Sequence, residues 1–403
     1  MRATTLPASA GYIFQLIRSG TATTRPELAA QSGLSRTAVR QRVSALTDLG
    51  LVVESAPQQS TGGRPPARLR FSADGGLVLA ADFGVTHCRL AVSTLDGTLL
   101  AELAADQPIA LGPDAILGWA IGRFGDLLGE VGRDAVDVRG IGIGVPGPVE
   151  FSAGRAVSPP IMPGWHGVVI PDRLTGAFPV PVLVDNDVNI MAIGEHAAHW
   201  RERVDDLLFV KVGAGIGCGI ITAGEILRGA QGTAGDIGHI RVEGQHGVRC
   251  HCGNDGCVEA VAGGQALQRR LVELGYECAD ARAVARLVRD GNSDAARLVR
   301  DAGRMLGEVL AGLVNFSNPA VIVIGGDVAV AHRQLLAGVR EVVYRRSTAL
   351  ATRDLELVVS RLGDRAGVVG AVTMVLDHLL AADAVDAAIA ARTSLPTLVS
   401  AHQ

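Results

Sequence analysis

The sequence predicts an α/β protein in which an N-terminal winged helix-turn-helix precedes a larger α/β body. Three observations support this prediction. A chain of 403 residues is too long for one ordinary core. Its first 72 residues combine helical periodicity with two short strand-like runs, and the remainder alternates strand-like and helix-like segments. The 51 glycines indicate many tight turns between those segments.

Three short helices are predicted at the start of the chain, over residues 9–18, 24–33 and 35–50. Apolar residues recur in them at spacings of three and four, and a glycine follows each. Thr24 and Ser35 are suited to the N-cap positions of the second and third helices. The tight turn between these two helices predicts a helix-turn-helix.

The third helix carries polar side chains on the faces that its apolar stripe leaves free. The predicted DNA-contacting residues of this segment are Ser35, Arg36, Thr37, Arg40 and Gln41. Arginine and glutamine side chains can read guanine and adenine edges, and an α-helix fits the major groove. The alternative is a pair of helices that serves packing alone.

A wing is predicted after the third helix. Two strand-like runs, 51–55 and 68–71, flank a polar tip rich in glycine and proline that contains Arg64. An arginine on extended backbone is typical of arms that enter the minor groove. Residues 1–72 carry a net charge of +6, whereas the whole chain carries −4. These features together predict a double-stranded DNA operator as partner.

Five apolar runs after Leu77 each end in a glycine-rich or polar loop, and they span 77–84, 139–149, 180–187, 207–220 and 320–327. In α/β folds, ligand sites lie beyond the carboxyl ends of such strands. No run approaches the ~18 apolar residues of a membrane span, and the first 20 residues lack a signal-peptide core. We therefore expect a cytoplasmic protein without a membrane partner.

A cysteine knuckle is the sharpest chemical signal. Its C-x-C-x-x-x-x-C spacing with intervening glycines comprises Cys250, Cys252 and Cys257. His239 is the best fourth ligand, with His246 and His251 as rivals. A closed set of three thiolates and one imidazole favours a structural zinc ion over a catalytic one, because no coordination position stays open. The alternative is three neighbouring thiols without a metal.

The order of motifs along the chain resembles the ROK family, which contains sugar kinases and sugar-responsive repressors. The motifs are DFGVTH, GIGVPGPV, MPGW, DNDVN, GAGIGCGI, GDIGH, CHCGNDGCVE and IGGD. With the winged N-terminus, the resemblance covers nearly the entire chain. It implies a two-lobed, actin-like sugar-kinase body of the ATPase type.

On this basis the predicted units are a DNA-binding domain over 1–72, an N-terminal lobe over 73–190, a C-terminal lobe with the knuckle over 191–390, and a tail over 391–403. A final helix over 366–383 is expected to pack back on the N-terminal lobe.

The resemblance also implies a sugar site, formed by Asn186, Asp187, Asp236, His239 and Glu259. Carboxylates accept hydrogen bonds from sugar hydroxyls, and an amide both donates and accepts. His239 can bind sugar with one ring nitrogen and zinc with the other. The family usually has glutamate in place of Asp236, so the shorter side chain leaves the identity of the sugar open.

In the kinases of the family, Asp187 would be the general base and glycine-rich loops would hold the nucleotide phosphates. The remnants of those loops here are Gly84, Thr86, Gly213, Gly215, Gly325 and Gly326. Val85 adds bulk where the kinases favour glycine, and Ala214 replaces a residue with a hydroxyl. Both changes argue against ATP as a cofactor.

The expected function is therefore a sugar-responsive DNA-binding regulator, with a repressor of carbohydrate-utilisation genes favoured, that works as a homodimer or homotetramer. The alternative is an ATP-dependent hexose kinase, which may also regulate transcription, and a purely structural scaffold is the least favoured.

Overall fold

The computed structural model describes residues 8–55, 67–159 and 161–394. A winged helix-turn-helix head comes first. Its elements are α1 (Ala10–Arg18), α2 (Arg25–Ser32), α3 (Arg36–Asp48), β1 (Val52–Ser55) and β2 (Arg68–Phe71). The two strands pair antiparallel with Val52 opposite Phe71, as the predicted wing requires.

Side-chain caps begin all three helices of the head. Thr24 and Glu27 form a capping box at α2, in which each side chain binds the backbone of the other residue. The Ser35 hydroxyl accepts from the amide of Ala38 at 3.2 Å, which starts α3 at the predicted place. Gly33 ends α2 with φ +69, a left-handed conformation that favours glycine. These local contacts fix the turn between α2 and α3.

Two lobes follow the head. The first contains β3 (Leu77–Phe83), β4 (Cys88–Thr94), β5 (Leu99–Ala105), α4 (Pro113–Glu130), β6 (Val138–Val145), β7 (Val149–Glu150), β8 (Arg155–Ala156), α5 (Ile170–Leu174) and β9 (Val182–Asn186). The second contains α6 (Asp187–His199), β10 (Leu207–Val212), β11 (Ile216–Thr222), β12 (Glu225–Ile226), α7 (Val258–Ala262), α8 (Gly264–Glu273), α9 (Ala281–Arg289), α10 (Ser293–Ser317), β13 (Val321–Gly325), α11 (His332–Arg346), α12 (Ala349–Thr352), β14 (Glu356–Val359), α13 (Ala366–Leu379) and α14 (Ala382–Ser394).

The two lobes repeat one strand order. The first sheet reads β5-β4-β3-β6-β9 and the second reads β12-β11-β10-β13-β14. In both sheets three antiparallel strands are followed by two that run parallel to the third. The parallel strands bring their carboxyl ends to one edge of each sheet, which is where ligand sites form in such folds.

Helices α6 and α13 join the two sheets, because α6 contacts β10 and β11 while α13 contacts β3 and β6. The helices touch each other through glycine. A Cβ atom on Gly370 would lie 1.6 Å from the Ile190 carbonyl oxygen, and one on Gly194 would lie 2.3 Å from the Ala366 carbonyl oxygen. Only glycine allows this backbone approach.

The C-terminal helix differs from the sequence prediction. One helix over 366–383 and a tail from 391 were expected, but α13 ends at Leu379 and a separate helix, α14, continues to Ser394. Helix α13 contacts β3 and β6 of the first lobe. No single helix among the described residues is long and apolar enough to cross a membrane, although the bent pair Gly363–Leu379 and Ala382–Ala391 passes that test jointly.

The helix is interrupted between α13 and α14, and α14 packs on the head. The amide of Gly11 in α1 donates to the Asp386 carboxylate at 2.8 Å. The Gln15 side chain donates to the carbonyl of Leu380 at 2.6 Å, at the break itself. A Cβ on Gly11 would lie 1.9 Å from the Ala382 carbonyl oxygen, so the two backbones are in contact. These long-range contacts attach the head to the body.

Candidate ligand pocket, metal site and DNA-binding face

A cavity of about 480 Å³ lies where the ends of β9 and β10 meet the loop before α7. All five residues predicted for the sugar site line it: Asn186, Asp187, Asp236, His239 and Glu259. Its volume is within the usual range for small-molecule sites. The structure therefore brings together side chains that are up to 73 positions apart in the sequence.

Asn186 and Asp187 lie at the junction of β9 and α6. The Asn186 side-chain oxygen accepts from the amide of Val188 at 2.9 Å and so caps the helix. Its side-chain nitrogen donates to the carbonyl of Gly147 at 2.9 Å, which holds the loop after β6. Asp187 is buried in the first turn of α6, where the helix dipole favours a carboxylate.

Asp185 supports this junction, although the sequence did not single it out. Its carboxylate accepts from the Asn189 side chain at 2.8 Å and from the Arg228 guanidinium, also at 2.8 Å. Arg228 stacks over the ring of Phe151, 3.7 Å from its centroid. Because Arg228 follows β12 and Asp185 belongs to β9, this ion pair connects the two lobes beneath the pocket.

Lys211 is a pocket residue that the sequence prediction missed. Its ammonium donates a hydrogen bond to the Asp187 carboxylate. Burial lowers the pKa of Lys211, but the attraction of Asp187 and Asp82 outweighs burial, so the pKa lies above its usual value. A charged residue inside the apolar run LLFVKV was the available signal. The ammonium is therefore charged at neutral pH.

Asp82, at the end of β3, lies close to this ion pair. Burial raises the pKa of Asp82 to about 7, while Lys211 lowers it and the neighbouring Asp187 raises it. A Cβ on Gly367 would lie 1.9 Å from the Asp82 carboxylate, so the start of α13 packs directly on this side chain. The Asp82 carboxylate is thus in contact with α13, the helix that packs against α6 between the two sheets.

Glu259 extends from α7 across the loop between β10 and β11. Its carboxylate accepts from the amide of Ile216 at 2.9 Å. A Cβ on Gly215 would lie 2.1 Å from the same carboxylate. Gly215, predicted as a remnant of a nucleotide loop, therefore makes room for Glu259.

Four potential metal ligands form a compact group beside the pocket: His239, Cys250, Cys252 and Cys257, whose ligand atoms all lie within 4.8 Å of one another. The sulfur atoms of Cys252 and Cys257 are 3.7 Å apart, and that of Cys250 is 3.5 Å from His239 Nδ1. Tetrahedral zinc with bonds of about 2.3 Å to sulfur and about 2.0 Å to nitrogen gives edges of about 3.8 and 3.5 Å. The donor set and its spacing fit that ion.

The structure distinguishes among the three histidines that the sequence left open. His246 contacts the guanidinium of Arg241, and His251 is exposed at the pocket rim. His239 alone of the three joins the cysteines. Its other nitrogen, Nε2, lies 3.7 Å from the Asp236 carboxylate. One imidazole thus connects the metal site to the pocket.

A small cleft lined by charged side chains lies near the first of the predicted nucleotide loops, and none of the six predicted remnants lines it. A second cavity of about 140 Å³, beside the loop with Gly84 and Thr86, is lined by Asp82, His87, Cys88, Arg89, Ala104, Ala105, Asp106, Arg282 and Asp364. Arg282 pairs with Asp106 at 3.7 Å and with Asp327 at 3.3 Å, across the two lobes. This small cavity carries arginines as well as carboxylates, so neither charge dominates its lining.

The other remnants have structural roles in the second sheet. Gly326 adopts φ +91, and a Cβ there would lie 2.7 Å from the Val212 carbonyl oxygen. A Cβ on Gly325 would lie 2.4 Å from the ring of Phe209, and one on Gly213 would lie 3.4 Å from Lys211. Close packing accounts for Gly325 and Gly326 without a nucleotide, whereas the contact at Gly213 is an ordinary van der Waals contact.

The predicted DNA-contacting residues share one exposed surface, which comprises Ser35, Arg36, Thr37, Arg40 and Gln41. The opposite side of α3 buries Val39, Val43 and Leu46 in the head. The helix is therefore oriented with its polar face free. Arg64 lies outside the described residues.

Comparison with known families identifies both parts of the chain. Residues 78–378 match the ROK family model, and residues 13–53 match a winged helix-turn-helix DNA-binding model. These bounds agree with the head and the two lobes of the structure.

Individual relatives extend the likeness over nearly the full length. The chain is 31% identical to the xylose repressor of Caldicellulosiruptor bescii, over 86% of this chain and 90% of the relative. It is 28% identical to the N-acetylglucosamine repressor of Escherichia coli O6:H1, over 91% and 92%. The crystal structure of a ROK family transcriptional regulator, a homolog of the E. coli MLC protein, superposes with a TM-score of 0.79 at 26% identity, over 94% and 98%.

Proposed function

The chain belongs to the ROK family, and from that premise we propose that it is a sugar-responsive DNA-binding repressor of carbohydrate-utilisation genes. The carrying observation is the coexistence of two complete parts. One is a helix with five exposed polar residues in a winged head, and the other is a pocket lined by the five side chains that were predicted for a sugar site. Both parts are needed to couple a sugar to an operator.

The proposed effector is a small sugar that the pocket binds through hydroxyl groups. Asp187, Asp236 and Glu259 would accept hydrogen bonds from hydroxyls, and Asn186 and His239 would orient them. Two relatives are named for xylose and for N-acetylglucosamine. The short side chain of Asp236 is the position where we expect this chain's preference to differ.

A structural zinc ion would be held by His239, Cys250, Cys252 and Cys257. It would fix the imidazole of His239 with Nε2 towards the pocket. Because all four ligands come from the protein, the ion would organise the loop and would not activate water.

The route from pocket to operator would follow a series of contacts in the body. The sugar binds at the start of α6, α6 touches α13 through Gly194 and Gly370, and α13 leads into α14, which contacts α1 of the head. A movement of the two lobes would thus change the position of the head. In a homodimer this would alter the spacing of two α3 helices on a palindromic operator.

Phosphoryl transfer is the less favoured alternative. The Asp187 carboxylate already accepts a hydrogen bond from the Lys211 ammonium, a charged partner at the group that would act as general base. The bulk of Val85 and the loss of a hydroxyl at Ala214 also weaken the positions that would hold nucleotide phosphates. We therefore propose no nucleotide cofactor.

A titration of the protein on its own upstream DNA tests the proposal. Pentoses, hexoses, amino sugars and disaccharides would be added to the complex while fluorescence anisotropy reports DNA release or tightening. We expect one sugar class to change the operator affinity at least tenfold. If no sugar in the panel binds, or if binding leaves operator affinity unchanged, the proposal is wrong.

Replacing Arg40 with alanine should weaken operator binding by roughly tenfold, because the exposed guanidinium on α3 would lose its contact with a base or phosphate. If that contact is a phosphate, the slope of log affinity against log salt concentration should fall by about one. Anisotropy at several salt concentrations measures both. Arg123→Ala, on the exposed side of α4, is the matched control. Equal affinities for the two variants would remove Arg40 from the interface.

A further inference from the structure

Lys211 is the single lysine of the chain, which otherwise uses 36 arginines for its positive side chains. Arginine therefore serves as the cation at every other basic position. An arginine is planar and forked, whereas a lysine ends in a compact ammonium on a slender stem. The use of lysine at one position points to a requirement that arginine does not meet.

The surroundings of Lys211 explain that requirement. Its neighbours across the sheet are Gly217 on β11 and Gly325 on β13, so no side chain flanks it on either strand. A Cβ on Gly213 would lie 3.4 Å from Lys211 Cε. The lysine stem thus passes between glycine residues, a path that fits an unbranched side chain ending in a compact ammonium.

The stem delivers the ammonium to carboxylates at the pocket. Its Nζ donates to Asp187, and the charges of Asp82 and Asp327 also stabilise it. An ammonium has three donors, and the described hydrogen bonds use one of them. The side chain is 23% exposed and lines the large cavity, so further donors are available to a ligand there.

We propose that Lys211 is a specificity-determining residue that contacts the effector and, with Asp187, selects an uncharged sugar over its phosphate ester. This inference rests on the proposed sugar-sensing function. A hydroxyl can accept from the ammonium while it donates to the adjacent carboxylate, so one sugar oxygen would satisfy both partners.

The charge of the pocket supports this selection. Asp187 already neutralises Lys211, which leaves the carboxylates of Asp236 and Glu259 on the cavity wall without a cationic partner among the described ion pairs other than His239 beside Asp236. A phosphate ester carries a charge of about −1.5 to −2 at neutral pH. It would be repelled by these carboxylates, whereas a neutral sugar would donate hydrogen bonds to them.

Isothermal titration calorimetry tests the selection. The ligands are D-xylose, D-glucose and N-acetyl-D-glucosamine, each beside its terminal phosphate ester. We expect the wild-type protein to bind one neutral sugar at least 100-fold more tightly than its ester. Lys211→Met and Lys211→Arg should each weaken that binding at least tenfold. Arg353→Met, at an exposed position, is the matched control and should bind as the wild type does.

The substitution Lys211→Met leaves Asp187 buried without its counter-ion, so a charge-balanced variant, Lys211→Met with Asp187→Asn, accompanies it. Circular dichroism checks that each variant is folded. Because the chain has one lysine, acylation provides a readout on the unaltered protein. A sugar that binds should slow acylation of Lys211 severalfold, while the N-terminal amine reacts at an unchanged rate.

The outcomes separate the two levels of the proposal. If the wild type binds none of the sugars, the sugar-sensing function itself is wrong and this inference falls with it. If a sugar binds but Lys211→Arg retains the affinity, or acylation is not slowed, only the role of Lys211 is wrong. A phosphate ester that binds as tightly as its neutral sugar overturns the selection.

Discussion

Replacing Cys252 with serine is expected to release zinc and to abolish the response of operator binding to sugar. The side chain is exposed, so the substitution leaves the core intact and acts through the metal. Structural zinc contributes apparent binding free energies of about 10 to 16 kcal/mol, and a hydroxyl is a far poorer ligand than a thiolate. Because His239 belongs to both sites, loss of the ion should free its imidazole and disorganise the pocket.

Atomic absorption measures the zinc content, and calorimetry with the responding sugar measures the pocket. Cys278→Ser is the matched control, because this buried thiol lies outside the metal group and donates only to the carbonyl of Asp280. It should retain one zinc per chain and its sugar affinity. Full zinc occupancy in Cys252→Ser would refute the ligand set, and full sugar affinity without zinc would refute the link between the sites.

Replacing Gly370 with alanine is expected to lower stability by about 3 kcal/mol or more. The new methyl group would lie 1.6 Å from the carbonyl oxygen of Ile190 and 2.9 Å from the amide of Gly194, and both are backbone atoms. Relief requires α6 and α13 to separate, which sacrifices close packing between the lobes. Separation of α6 from α13 should also weaken the coupling between sugar binding and operator binding.

Thermal unfolding measures the first effect, with a fall of about 5 °C or more in the midpoint. The sugar titration on DNA measures the second. Gly312→Ala is the matched control, since a Cβ there would meet nothing within 4 Å on the exposed side of α10. That substitution should stabilise the protein by about 0.5 to 1 kcal/mol. If both variants shift the unfolding midpoint in the same direction, the contact between α6 and α13 at Gly370 is not as close as described.

The head was predictable from sequence because its determinants are local. Thr24 and Ser35 cap helices within three residues of themselves, and Gly33 ends a helix through its own backbone conformation. The apolar stripe of α3 follows directly from a spacing of three and four. Each of these signals involves residues that are only a few positions apart in the sequence.

The knuckle was predictable only in part. The spacing of Cys250, Cys252 and Cys257 identified three ligands, but three histidines competed for the fourth position. Loop folding decides among them, because the choice depends on distances that no spacing rule supplies. In the structure, the segment between β12 and α7 folds back on itself, which brings His239 close to the three cysteines.

Lys211 and α14 were missed for the same physical reason. The role of Lys211 within an apolar strand depends on its ion pair with Asp187, which is 24 positions away in the sequence. The end of α13 depends on contacts of Gln15 and Gly11 with the far end of the chain. The segment after Leu380 has almost no hydrophobic periodicity, so its sequence gives little indication of α14.

The attachment of α1 to α14 also has a consequence during protein synthesis. The hydrogen bond from Gly11 to Asp386 joins residues 375 positions apart. At a translation rate of about 5 to 20 residues per second, the ribosome needs roughly 20 to 75 seconds to make the intervening segment. The three helices of the head contact one another, so the head can fold during that time. A nascent chain would therefore present a DNA-binding head before it acquires the anchor through which we propose that sugar acts on the head.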